Sequence, residues 1–151
     1  MANKKIWMGI LVMVLVFSMM VVGCNDGNGS SDPHKITITG LNGKSGNGAI
    51  LLYSYFSENA EGVVAGWQGS ISGNSITASL QGIGGSAWSG SGQYHIIIQI
   101  GNEMFAYTNG QTLEQLGIVT EDDFYSKMPK YNITGSETTI TFNLFLDVTG
   151  I

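Results

Sequence analysis

The sequence predicts a mainly β protein, an antiparallel β-sandwich of about seven strands with a short helical insert near residues 112–128. Three observations carry this. Several short runs alternate apolar and polar residues, as half-buried strands do. Gly, Asn and Ser punctuate those runs at turn positions, with 22 glycines in 151 residues. Charged residues make up only 11% of the chain, so the wet faces of the strands must be built from neutral polar groups. The aromatic and β-branched content is too high for disorder.

The first strand is Lys35-Ile36-Thr37-Ile38-Thr39, a clean alternation. A turn-rich loop with two Asn-Gly pairs follows from Leu41 to Gly48; it lacks the Lys-Ser/Thr ending and the helix that a phosphate-binding loop needs. Ala49 to Phe56 is almost wholly apolar, so it reads as a central strand covered on both faces. Ser57 to Gly62 is a loop. Val63 to Ser72 and Ser75 to Leu80 are separated by Gly73-Asn74, the spacing of a two-residue hairpin.

Gln81 to Gly92 is a Gly/Ser segment carrying Trp88. Its Gly82-Ile83-Gly84-Gly85-Ser86-Ala87 only loosely matches a dinucleotide fingerprint, and a strand rather than a helix follows. Tyr94 to Ile100 is the strongest strand. It places Tyr94, Ile96, Ile98 and Ile100 on one face and Gln93, His95, Ile97 and Gln99 on the other. Gly101-Asn102 then turns the chain into Glu103 to Thr108, a second hairpin.

Thr112-Leu113-Glu114-Gln115 has the spacing of a capping box, with room for one turn before Gly117. Thr120-Glu121-Asp122-Asp123 repeats that signal and predicts a helix to about Met128, stopped by Pro129. Thr138 to Val148 closes the fold as a last strand, with Ile140, Phe142, Leu144, Leu146 and Val148 on one side.

The N-terminus belongs to a different kind of element. A basic start with Lys4 and Lys5 leads into an apolar run from Ile6 to Val22, broken only by Gly9 and Ser18. These are the n- and h-regions of a secretory signal. Cys24 is the only cysteine and so has no internal disulfide partner. Its place after Val21-Val22-Gly23 resembles the lipobox of bacterial lipoproteins. The resemblance implies cleavage before Cys24, a thioether-linked diacylglycerol on its sulfur, and often an N-acyl chain such as palmitate. Two or more acyl chains hold a protein to a membrane where one does not. The domain organisation is then a signal peptide over 1–23, a flexible Gly/Asn/Ser tether over 24–34 containing His34, and a β-sandwich over 35–151.

Once the leader is removed, four lysines, no arginine and all eleven acidic residues remain. A chain this acidic has no basic face to neutralise phosphates, which excludes nucleic acid as a partner.

No pattern of residues announces catalysis. His34 and His95 are the only histidines, and neither has a Cys or second His at metal-ligand spacing. No serine sits in a Gly-x-Ser-x-Gly elbow. Glu58, Glu61 and Glu103 fall in loops or beside turns, where acids are solvated. Glu121-Asp122-Asp123 lacks a calcium-loop pattern and reads as helix capping. No cofactor is implied. Aromatic rings among neutral polar residues suit a sugar or protein ligand. Both tryptophans fit the sandwich core; of the two, Trp67 reads as buried, and Trp88, in its loop, is the better candidate for the surface. Trp88, Tyr94 and His95 are the candidate ligand contacts, although the plainer reading of His95 is a strand-surface or partly buried, hydrogen-bonded residue.

Several segments together resemble small lipoproteins of spirochaetes, treponemes in particular. They are Val22-Gly23-Cys24, Lys35-Ile36-Thr37-Ile38-Thr39-Gly40, Trp88-Ser89-Gly90-Ser91-Gly92-Gln93-Tyr94, Tyr107-Thr108-Asn109-Gly110 and Thr138-Thr139-Ile140-Thr141-Phe142. The resemblance implies one functional residue, Cys24, and no catalytic set. It implies a lipid-anchored envelope protein, on the periplasmic face or the cell surface. The expected function is therefore a non-enzymatic module, open to a glycan or protein ligand. The alternatives are a secreted hydrolase of envelope glycans and a structural surface coat.

Overall fold

The computed structural model describes residues 33–55, 62–135 and 137–141. The expected signal peptide, Cys24, residues 24–32 of the tether, Phe56, Ser57 to Glu61 of the following loop and the second half of the closing strand lie outside the described residues.

Nine strands and one short helix are formed among the described residues. They are β1 (Lys35–Thr39), β2 (Gly46–Tyr53), β3 (Val63–Ile71), β4 (Ser75–Ser79), β5 (Gln81–Gly82), β6 (Gly92–Ile100), β7 (Glu103–Ala106), α1 (Glu121–Lys127), β8 (Tyr131–Ile133) and β9 (Glu137–Thr141). A three-stranded sheet has the order β4-β1-β9. A six-stranded sheet has the order β5-β3-β2-β6-β7, with β8 paired to the start of β6. The architecture is the expected sandwich with a single short helix. The two strands beyond the expected number are β5 and β8, two and three residues long. Alternation cannot be read over so few positions.

The sheets face each other across one apolar layer. Ile36 and Ile38 of β1, Ala78 of β4 and Ile140 of β9 meet Ile50, Leu52, Ile96, Ile98 and Phe105 of the larger sheet. The far side of the larger sheet carries a second layer. There Leu51, Tyr53, Ile97 and Met104 are covered by Ile118, Phe124 and Met128 from the helical insert. That is why β2 is buried at every position from Gly48 to Tyr53, on both faces. It pairs with β3 on one side and β6 on the other. Burial pushes the Tyr53 phenol well above its usual range.

The insert forms as its capping residues require. Thr120 caps α1: its side chain accepts from the Asp123 N–H, and the Asp123 carboxylate accepts in return from the Thr120 N–H at 3.1 Å. Asp123 also pairs with Lys127 at 2.6 Å. Lys127 first, then the N–H groups of Val119 and Thr120, hold that carboxyl well below the ordinary carboxylate range. The Thr112–Gln115 capping box is also made, with both reciprocal bonds present (2.8 and 3.1 Å). It closes one turn, not a helix, because Gly117 enters the left-handed region at φ +67°.

Two expectations need correction. Val63 to Ser72 and Ser75 to Leu80 do not form a hairpin. β3 belongs to the larger sheet, while β4 pairs antiparallel with β1, aligning Ile36 with Ala78 and Ile38 with Ile76. Gly73, at φ +84°, and Asn74 make a corner between sheets, and the Asn74 carbonyl accepts from the Leu41 N–H at 3.1 Å. Both strands carry apolar residues that need a facing layer, which a corner supplies and a hairpin does not. The closing strand is the second case. β9 runs parallel to β1, from Lys35 opposite Glu137 to Thr39 opposite Thr141, in an otherwise antiparallel pair of sheets. A parallel pair needs a long connection, and the first and last strands have nearly the whole domain between them. The expected Gly101-Asn102 hairpin is formed, with Ile100 opposite Glu103.

Candidate functional site

The candidate ligand residues divide between two faces of β6. Tyr94 points toward the layer between the sheets and packs against it. His95, the next residue, lies on the opposite face and is only 6% exposed. Its Nδ1 lies 3.3 Å from the Pro129 carbonyl oxygen, just beyond α1. Burial, then the Lys130 charge, push the imidazole down to about 4, against the Pro129 bond that favours the protonated ring. His95 is therefore a neutral, structural contact between the larger sheet and the insert, and it does not join Trp88 and Tyr94.

Trp88 and Tyr94 do come together. Their rings meet edge to face with centroids 5.2 Å apart, a geometry worth about 0.5–1.5 kcal/mol beyond area burial. The third member is His34, whose ring meets Trp88 at 5.4 Å. His34 was expected in the flexible tether, yet it is 9% exposed and belongs to the domain. Three backbone bonds close a cycle around it. The His34 N–H donates to the Trp88 carbonyl (2.8 Å), the Trp88 N–H to the Leu80 carbonyl (3.1 Å), and the Leu80 N–H to the His34 carbonyl (2.8 Å). Neither ring nitrogen of His34 has a hydrogen-bond partner among the described residues. A buried polar group left in that state costs about 1–3 kcal/mol.

The loop carrying Trp88 is folded tightly. The Gly82 N–H donates to the Ser86 carbonyl at 2.8 Å, and Gln81 bridges to Ala87. The indole lies over Gly90, where a Cβ would come within 2.7 Å of Cζ2. Trp88 is thus half-buried rather than exposed, because the glycine lets the ring lie down on the core. Trp67 was expected to be buried, and it too is half-buried, with its ring over Gly69.

The aromatic series continues along the sandwich edge. Tyr94 stands opposite Tyr131 of β8, and Tyr131 meets Tyr107 edge to face at 5.0 Å. The Tyr131 hydroxyl donates to the Thr139 carbonyl of β9 (3.2 Å) and the Tyr94 hydroxyl to the Ser91 carbonyl (2.9 Å). Burial, then the neighbouring Tyr131, raise the Tyr107 phenol above its usual range. His34, Trp88, Tyr94, Tyr131 and Tyr107 together make a half-buried aromatic rim where the two sheets part. Ser86, Ser91 and Gln93 beside it are exposed and neutral. Such a rim offers ring faces, ring edges and uncharged hydrogen-bonding groups.

Three members of the rim were not singled out from the sequence. His34 had a signal, since it shares the parity of Ile36 and Ile38 and extends that inward face by one step. Tyr107 shares the parity of Phe105 in the same way. Tyr131 had almost none, being the first residue of a three-residue strand.

Comparison with known proteins returns no matching family model, curated protein or solved structure.

Proposed function

We propose that this chain is a lipid-anchored, non-enzymatic protein of the bacterial envelope, held through an acylated Cys24, whose domain is a binding module for a glycan or protein ligand. The observation that carries the binding half is the aromatic rim. Half-buried Trp and Tyr rings in a neutral polar setting are the groups that stack on sugar rings or anchor a protein partner. The leader ending in Val22-Gly23-Cys24 supports the anchor. The anchor is tested by growing cells with radiolabelled palmitate: wild type should take up label and Cys24→Ser should not. Equal labelling of the two would end that half of the proposal. Binding is tested by applying the lipid-free chain, residues 31–151, to glycan and protein arrays. A ligand found there should be lost by Tyr131→Ala at the rim and kept by Lys44→Ala, whose partner Glu103 stands past the opposite end of β6 from Tyr94; the reverse result would place binding elsewhere.

A further inference from the structure

The tether enters the domain at the aromatic rim. Pro33 and His34 are the first described residues, and the His34 N–H is bonded to the Trp88 carbonyl. Only nine residues, 24–32, separate Pro33 from the expected acylated cysteine inclusive of it. Fully extended, nine residues span at most about 30 Å. The end of the domain carrying His34 and Trp88 is therefore held close to the bilayer.

That end also carries an apolar tip. Ile83 stands in the turn between Gly82 and Ser86, next in the chain to Gly82, whose Cα faces the Trp88 ring, and is 59% exposed. Two of the four lysines of the mature chain lie at this end: Lys35 follows His34, and Lys130 precedes Tyr131. Glu137, opposite Lys35, offsets one of those charges. Trp and Tyr favour the boundary between lipid and water, where an apolar ring and a polar edge are both accommodated. The short tether, the exposed Ile83 and the Trp88 ring coincide at one place.

We infer that the part of the rim nearest the tether, Ile83 with Trp88, docks on the lipid interface of the membrane that holds Cys24, so that the domain stands on its tether end. The inference goes beyond ligand binding and rests on the Cys24 anchor. It leaves the rest of the rim, Tyr131 and Tyr107, for a ligand.

Removal of the leader leaves two tryptophans, Trp67 and Trp88, which makes the test direct. Trp67 pairs with Ile50, and Ile50 with Ile98, four residues along β6 from Tyr94. On the near side, Gly82 faces Ala65, two residues short of Trp67 along β3, so Trp67 lies about 7 Å beyond the turn that carries Ile83. Mature protein purified from membranes is reconstituted into phosphatidylcholine vesicles with brominated acyl chains, which quench only rings in contact with them. Trp67→Phe leaves Trp88 as reporter, and Trp88→Phe leaves Trp67. Trp88 emission should be quenched several-fold more than Trp67 emission. Ile83→Asp, at an exposed site that leaves the fold intact, should remove most of the Trp88 quenching.

Vesicle-bound protein with neither ring quenched, or both quenched equally, overturns the docking while leaving the anchor in place. Trp88 unquenched in vesicles yet responsive to a soluble glycan assigns that end of the rim to the glycan instead. Protein that carries no acyl chain by mass spectrometry and does not float with vesicles overturns the anchor, and the docking with it.

Discussion

The His34 N–H donates to the Trp88 carbonyl at 2.8 Å, and the two rings meet edge to face at 5.4 Å. One residue immediately precedes the first strand and the other lies in a glycine-rich loop 54 residues later in the chain. Their contact ties the tether exit to the aromatic rim, so a change at either residue should be felt at both.

The two ring nitrogens of His34, without a partner among the described residues, make the first prediction. His34→Phe keeps a ring against Trp88 and removes the polar atoms. It should raise stability by about 1 kcal/mol, measured as a higher denaturant midpoint with an unchanged slope. A loss of that size would mean that the imidazole is satisfied in solution.

His95 makes the second prediction, and its sign follows from linkage. Its folded pKa of about 4 lies below the 6.5 of an ordinary histidine. Between those values the unfolded chain binds a proton that the folded chain refuses, so folding weakens as pH falls. The contribution is full above pH 6.5 and is lost by about pH 4. At about 1.4 kcal/mol per pKa unit, discounted for partial solvation, the loss is on the order of 2 kcal/mol. Urea melts at pH 7 and pH 4.5 should show it for the wild type. His95→Leu should flatten most of the difference, and an equally steep fall in that variant would assign the acid sensitivity to other groups.

The insert over the second core makes the third. Thr120 caps α1, and α1 places Phe124 and Met128 on Leu51 and Ile97. Thr120→Ala should cost about 1 kcal/mol. Hydrogen exchange should quicken first in residues 113–128 and leave the β1–β4 pairing protected. Uniform loss of protection would show that the insert and the sandwich unfold as one unit.

The fold was legible where a strand alternates or is long. β1 alternates with its outer face wet, β6 is nine residues long with both faces buried at Ile96, Ile97 and Ile98, and the Gly101-Asn102 turn is short, so these strands and the hairpin could be read. The partner of β4 was not legible. Gly73-Asn74 suits a hairpin and a sheet-to-sheet corner equally, and the choice is made by Ile71, Ala78 and the facing β1, none of which is local. The rim was half legible. Trp88 and Tyr94 stand out by type, but His95 beside Tyr94 is separated from them by the strand's two-residue period. His34 was masked by the polar tether before it.

The two tryptophans make the last prediction. From sequence, both rings fit the core and Trp88, in its loop, was the better candidate for the surface; only its exposure would have left Trp67→Ala as the one costly change. The structure instead gives them the same standing. Each is half-buried, each packs on the layer between the sheets, and each lies over a glycine two residues further on, Gly69 or Gly90. Truncating a fully buried aromatic costs about 3–5 kcal/mol. With part of each ring in water, Trp67→Ala and Trp88→Ala should each cost about 2–3 kcal/mol, measured by denaturant melts. Trp88→Ala also removes the ring contacts to His34 and Tyr94, while the cycle of backbone bonds through residue 88 survives the substitution. Gly90→Ala separates packing from contact. Its Cβ would crowd Cζ2 and Cε2 of the indole, lifting the ring into water without deleting it. A red shift of Trp88 emission together with a smaller loss of stability, about 1–2 kcal/mol, is the expected result. Should Trp88→Ala and Gly90→Ala both leave the midpoint unchanged, the ring contributes nothing to the core, and Trp88 is the surface residue that its loop suggested.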